Sequence, residues 1–280
     1  MVHVAGNPIA LMLPPDAPTE AKETMEAALG LDKPFIEQFG IYISNFLQGD
    51  FGRSYRNNQP ALDLVLERLP ASLQLAGVAL LASIIVALIF GIAGARYRNS
   101  PFDFIISGLS TLGQAMPGFW VAIMLMLFFS VNLKILPVSG SGSLMHLVLP
   151  AATLCIGTSA KIIPLVRSNM LDIMHEDYIR TAKSKGLSKM LVTYKHALKN
   201  AMVPVVTVVA MQIPLLIGSA LITEMVFAWP GVGLLIYQGV NGLDMAVVQT
   251  GIIFVALLTI FSSLLADIII ALIDPRIKLQ

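Results

Sequence analysis

Charge is scarce in this chain of 280 residues: 18 Lys and Arg and 17 Asp and Glu make up only 12% of it. Soluble domains carry about 25% charged residues, and a chain that is 56% hydrophobic cannot cover a water-facing surface with half that supply. The same figures exclude disorder, which needs low hydrophobicity and high charge. A single cysteine, Cys155, excludes a disulfide framework and a Cys-rich metal centre. A net charge of +1 gives no bulk attraction to nucleic acid, so no nucleic-acid partner is expected. The four histidines, His3, His146, His175 and His196, show no ligand spacing. G-x-x-x-x-G-K-[ST], H-E-x-x-H, G-x-S-x-G and C-x-x-C are all missing, so neither ATP hydrolysis nor other catalysis is expected of this chain, and no metal or cofactor of its own.

What the chain has in quantity is long apolar runs. The intervals 69–95, 104–133, 135–160, 200–223 and 245–266 contain no Asp, Glu, Lys or Arg, and each exceeds the ~20 residues that span a bilayer as a helix. Only a helix satisfies every backbone amide within its own segment there. Five transmembrane helices are therefore expected, near 72–95, 105–132, 147–168, 202–224 and 247–271. The third opens on Pro137 and the loop-like Ser139-Gly140-Ser141-Gly142-Ser143. The interval 225–243 holds Pro230 and Gly231, Gly233, Gly239 and Gly242, and reads as a loop or re-entrant segment. The fold class is an all-α polytopic membrane protein.

Basic residues orient it. Arg96 and Arg98 follow the first span. Arg167, Arg180, Lys183, Lys185, Lys189, Lys195 and Lys199 crowd the stretch after the third, and Arg276 and Lys278 end the chain. The alternate loops carry almost nothing basic, so 96–103, 169–201 and the tail face the cytoplasm. Three regions follow: an outer helical segment 1–70, a membrane domain 71–275 with a cytoplasmic loop 171–200, and a tail 276–280. An outer 1–70 conflicts with Met1-Val2-His3-Val4, which has neither the basic nor the apolar region of a signal peptide. The economical expectation is a missing upstream helix, making the chain N-terminally incomplete.

Within 1–70, Thr19 is placed to cap a helix reaching Leu29 and stopping at Gly30. A second helix, about 34–48, aligns Phe35, Phe39, Ile43 and Phe46 on one stripe and ends at Gly49. That stripe either packs within its own small domain, the favoured reading, or lies on the outer membrane face.

Few ionisable residues enter the spans. Lys161 and Asp267 sit near inner ends, where interface anchoring or a helix–helix pair is the favoured reading, and Glu224 marks an outer end. Paired buried carboxylates or an inverted repeat would indicate a self-sufficient secondary carrier or channel, and neither is found. The polar or kinking candidates inside spans are Gln114, Met116, Pro117, Thr158, Ser159 and Gln212. They are candidates for lining a pathway, though backbone packing and kinking at Pro117 and Pro214 account for them equally.

The most informative stretch is Glu176-Asp177-Tyr178-Ile179-Arg180-Thr181-Ala182-Lys183-Ser184-Lys185-Gly186-Leu187, continuing to Lys199-Asn200-Ala201-Met202-Val203-Pro204. Physically it is a basic helix broken at Gly186 and a second short helix feeding the next span: a protruding knob or a solvated positive-inside loop. The pattern resembles the EAA loop of the inner-membrane permeases of binding-protein-dependent ABC importers. That pattern is E-A-A, three residues, Gly, nine residues, then an apolar-x-apolar-Pro stretch. Arg180-Thr181-Ala182 stands at E-A-A, departing at its first two positions, with Gly186 at the glycine and Val203-Pro204 near the close. D-Y-I-R-T-A-K-S-K-G-L is similar to the variant of the dipeptide, oligopeptide, glutathione and nickel subfamily.

Other stretches resemble the same subfamily: Gly49-Asp50-Phe51-Gly52-Arg53-Ser54-Tyr55, Glu67-Arg68-Leu69-Pro70-Ala71-Ser72-Leu73-Gln74-Leu75, Phe227-Ala228-Trp229-Pro230-Gly231-Val232-Gly233, and Ile273-Asp274-Pro275-Arg276. Asp244-Met245-Ala246-Val247-Val248-Gln249 departs from the family's D-Y before V-[VI]-Q. Val4-Ala5-Gly6-Asn7-Pro8 through Leu13 resembles the stretch just after the family's first of six helices, so five are expected here.

The resemblance implies a permease subunit of an ATP-driven importer in the bacterial inner membrane. A second homologous permease would complete the pathway for short peptides, with nickel or glutathione as alternative cargo. A separate binding protein would deliver substrate, and two cytoplasmic ABC ATPase subunits would carry ATP and Mg. It places ATPase coupling on Asp177, Arg180, Thr181, Ala182, Gly186 and Leu187, while Lys183, Lys185 and Lys189 read as positive-inside charge.

Overall fold

The computed structural model describes residues 18–28 and 33–273. The expected stop at Gly30, the Val4–Leu13 stretch, and the tail from Asp274 lie outside the described residues. The elements are α1 (Thr19–Ala28), α2 (Phe35–Leu47), α3 (Ala61–Arg96), α4 (Pro101–Ala115), α5 (Gly118–Leu125, continued by a π-helical stretch Met126–Asn132), α6 (Leu144–Ile173), α7 (Asp177–Ser184), α8 (Lys189–Leu191, continued by a π-helical stretch Val192–Ala197), α9 (Leu198–Phe227), α10 (Val232–Asn241) and α11 (Met245–Ile273). Among the described residues strand pairing is limited to one isolated bridge, Arg53 with Pro60.

Among the described residues, four helices are long and apolar enough to cross a membrane: α3, α6, α9 and α11. The span expected over 105–132, with a kink at Pro117, is instead two helices bent by 110°, a fifth span only if the pair is counted as one. The break is local. Proline disfavours helical backbone at the residue before it, and Met116, preceding Pro117, is extended at φ −78°, ψ 130°. Ser100 caps the start of α4, its Oγ accepting from the Asp103 amide at 3.3 Å, with Pro101 in the first turn.

Charge-free intervals locate the apolar parts but underestimate the helices. Helix α3 begins at Ala61 and carries Asp63 in its first turn, where a carboxylate suits the positive end of the helix dipole. Its 36 residues are about 54 Å long, well beyond the ~30 Å hydrocarbon core. Charged side chains mark where the bilayer ends; nothing about them stops backbone hydrogen bonding. The interval 225–243, expected as a loop or re-entrant segment, holds the ten-residue helix α10. Helix α9 stops at Ala228, whose left-handed backbone (φ 48°) reverses the chain.

Contacts divide the chain into two compact units. One comprises 1–70 with 231–254. Pro18, with its carbonyl accepting from Ala21 and Lys22, opens α1 in place of the expected Thr19 cap. On α2, Phe46 meets Phe51 edge-on at 5.2 Å between centroids, while Ile36 and Phe39 of the same helix are exposed. The Gly49–Tyr55 stretch is a tight loop. Gly49 and Gly52 take φ of 81° and 78°, the left-handed region glycine enters without a Cβ penalty, and Asp50 Oδ1 accepts from the Gly52 amide at 2.9 Å. Buried Ser54 donates to Asp244 Oδ2 at 2.5 Å, and Thr250 Oγ1 donates to the Phe51 carbonyl at 3.3 Å.

The other unit comprises 71–230 with 255–280. Its core joins Ala87, Ile92, Ile106, Ile162, Val166 and Met170 with Ile179 and Val192 of the loop expected on the cytoplasmic side. Gly91 lets α3 and α6 close: a Cβ there would stand 2.6 Å from Val166 Cβ. Trp229, buried after the left-handed turn, donates from Nε1 to the Ala71 carbonyl at 2.9 Å.

Candidate functional site

Two places in the second unit bring the candidate residues together. The first is the segment 177–200. On α7, Ile179 and Ala182 turn inward and are buried, packing in the cluster with Met170, Val192, Ala197 and Ala201. Asp177, Arg180 and Thr181 point outward, and Arg180 and Asp177 approach within 3.7 Å while remaining largely exposed, so their pairing contributes little. Gly186 has φ 77°, and a Cβ added there would meet nothing within 4 Å. Handedness, not space, demands glycine there. The Leu187 amide donates back to the Ala182 carbonyl at 3.4 Å and the Lys185 amide to the Thr181 carbonyl at 3.1 Å, closing the helix in the manner that calls for a left-handed residue just past its end. Leu187 is half-buried against the core. Asn200 Nδ2 donates to the Tyr178 hydroxyl at 2.8 Å, tying α7 to the start of α9. The six coupling candidates thus separate into an outward set, Asp177, Arg180, Thr181 and Gly186, and an inward pair, Ala182 and Leu187, that fixes the segment to the membrane helices.

The second place is a cavity of about 260 Å³ between α4, the start of α5, α6 and α9. Of the pathway candidates, Gln114, Met116, Thr158 and Gln212 line it. Pro117 does not; it precedes α5 and makes the bend. Ser159 does not either; it is buried and donates to the Ile156 carbonyl at 3.4 Å. Thr153, Lys161, Ser219 and Thr223 also line the cavity. The threonines and the serine lay hidden in apolar runs whose facing only packing settles, whereas Lys161 was visible as an intramembrane charge but read as an anchor. Gln114 Nε2 donates to the Ala160 carbonyl at 2.9 Å, holding its amide against α6. Gly113 faces Ala160, where a Cβ would stand 3.0 Å from that methyl carbon, so α4 and α6 approach closely beside the cavity.

Below the cavity, Arg167 grips Asp103 with both Nε and Nη2, at 2.6 and 2.7 Å. The Asn99 amide donates to Asp103 Oδ2 at 3.0 Å. Sequence reasoning treated Asp103 as the edge of a span and Arg167 as positive-inside charge. Among the described residues, no group of three His, Cys, Asp or Glu is placed to hold a metal ion.

Residues 83–279 match the family described as the binding-protein-dependent transport system inner membrane component. The chain belongs to that family. This permease is 36% identical to the dipeptide transport system permease protein of Alkalihalophilus pseudofirmus, over 99% of this chain and 92% of that protein. It is 35% identical to the oligopeptide transport system permease protein of Bacillus subtilis, over 99% and 92%. With the glutathione transport system permease protein of Escherichia coli K12 it shares 36%, over 99% and 91%. Among solved structures, a methionine ABC transporter in an inward-facing conformation matches with TM-score 0.64 at 19% identity, covering 75% of this chain and 96% of that one. An amino acid ABC transporter matches with TM-score 0.58 at 13%, covering 74% and 93%; at these identities the likeness speaks for the fold. The chain is therefore a multi-pass inner-membrane permease, a non-catalytic component of a binding-protein-dependent transport system.

Proposed function

We propose that this permease moves short peptides inward, with a second homologous permease completing the pathway and two cytoplasmic ATPase subunits driving it. The observation that carries the reading is the exposed, outward set on α7 ending at left-handed Gly186. A short helix, rigidly tied to the spans through Ile179, Ala182 and the Asn200–Tyr178 hydrogen bond, is a lever that a groove on a partner can push. Asp177, Arg180, Thr181 and Gly186 would meet the ATPase, while Ala182 and Leu187 would pass the motion to α6 and α9. ATP and Mg would sit on the ATPase subunits. The peptide assignment is supported by relatives named for dipeptide, oligopeptide and glutathione transport, and a binding protein would deliver the substrate at the outer face. Gln114, Met116, Thr158 and Gln212 would line the pathway.

Mild-detergent purification of the tagged protein from native membranes, with mass identification of what stays bound, tests the assembly. A second permease and ATPase subunits are expected. Recovery of the folded permease alone would overturn it.

A further inference from the structure

The cavity between α4, α6 and α9 is lined by apolar, hydroxyl, amide and glycine residues with one exception: Lys161 is the single charged side chain among the residues lining it. Helix α6 continues from Lys161 to Ile173, twelve further residues or about 18 Å of rise, so this exposed lysine lines the cavity well before the end of its helix. Thr158 and Gly157, three and four residues earlier, share its face and line the same space. Gln212 faces it from α9, and Gln114 is braced from α4 by its bond to Ala160. Among the described residues no acidic side chain lies within 4.0 Å of the Lys161 ammonium, although the neighbouring cation on this helix, Arg167, is fully engaged by Asp103. An intramembrane cation facing a cavity and lacking an internal counter-ion calls for an anion from elsewhere.

We propose that Lys161 binds the terminal carboxylate of the substrate as it passes through the cavity. This rests on the peptide reading above. A free carboxylate is the one anion every unmodified short peptide carries, whatever its side chains. An ammonium recognises it as a point charge, while the amides of Gln114 and Gln212 and the hydroxyl of Thr158 offer neutral hydrogen bonds around it. One charge-assisted contact among neutral ones holds a substrate in transit without trapping it, as conduction through successive sites requires.

The test uses the complete importer in proteoliposomes supplied with its binding protein and ATP. Uptake of dialanine and of its C-terminal amide is compared in wild type, Lys161→Arg and Lys161→Gln. The binding protein's own preference is common to all three and cancels when the ratio of the two uptake rates is compared between variants. Wild type and K161R are expected to favour the free acid alike, and K161Q to lower that ratio by about tenfold, the scale of one charge-assisted contact. A second measurement is the thermal shift that millimolar dialanine produces in the purified complex without binding protein, expected in wild type and K161R and lost in K161Q. Equal losses for both ligands in K161Q would assign Lys161 to a fixed anion, such as a partner's carboxylate or a lipid phosphate, and would overturn the proposal. So would an unchanged ratio. If wild type imports neither ligand, the peptide reading itself falls, and this inference with it.

Discussion

Arg167 holds both carboxylate oxygens of Asp103 at 2.6 and 2.7 Å, joining the first turn of α4 to α6 across 64 residues of sequence. Asp103 is only 5% exposed, and the Asn99 amide completes its coordination. Removing one partner would strand a charge away from water, which costs ~3–5 kcal/mol in buried pairs. Asp103→Asn and Arg167→Gln are each expected to lower the thermal midpoint of the detergent-purified protein by several degrees. The exchange Asp103→Arg with Arg167→Asp should recover part of that loss. Unchanged midpoints in both single variants would show that the pair does not brace α4 on α6.

The backbone at Gly186 separates strain from crowding, since an added Cβ would meet nothing within 4 Å. Left-handed backbone costs an ordinary residue about 1–2 kcal/mol, and asparagine tolerates it better than other non-glycine residues. Gly186→Asn should retain most uptake, whereas Gly186→Val should insert normally and lose it. Normal uptake by G186V would sink the coupling assignment.

Asp244 serves two partners at once. It accepts from Ser54 at 2.5 Å and from the Val247 amide at 3.5 Å, the latter at the first turn of α11. Asp244→Ala should release the 49–60 loop, read as faster proteolytic cleavage within it. The nearby Tyr55 phenol has its pKa raised, first by burial and then by the Asp244 charge. A raised phenol favours the folded state below the unfolded value near 10, and that contribution is lost as pH climbs through the folded value. Asp244→Asn should therefore shift Tyr55 ionisation to lower pH in an absorbance titration.

Helix α3 meets α6 at Gly91, where an added Cβ would lie 2.6 Å from Val166 Cβ. Gly91→Ala should destabilise the protein by ~1–3 kcal/mol through overpacking. Pairing it with Val166→Ala should restore most of the loss, read by thermal denaturation in detergent.

The apolar runs were legible because a bilayer demands about twenty consecutive apolar residues per span, a constraint written along the chain and independent of partners. The bend at Met116–Pro117 was legible as a residue type and misjudged in size: local stereochemistry broke the helix by 110° where a tolerated kink was expected. The left-handed requirement at Gly186 could be anticipated, since it arises within a few consecutive residues. The other relationships had no local signal. Ser54 and Asp244 are 190 residues apart, and nothing in either neighbourhood names the other.

Hydropathy alone thus determined that this protein spans a membrane as helices, and its motifs determined the family. Only the tertiary structure decided which polar side chains share a cavity, which threonine faces inward, and that Arg167 is engaged by Asp103 while Lys161 lines the cavity. The physical reason is that hydrophobic length and backbone propensity are sums over neighbours in sequence. A cavity and an ion pair depend instead on the rotation and register of helices packed from distant parts of the chain.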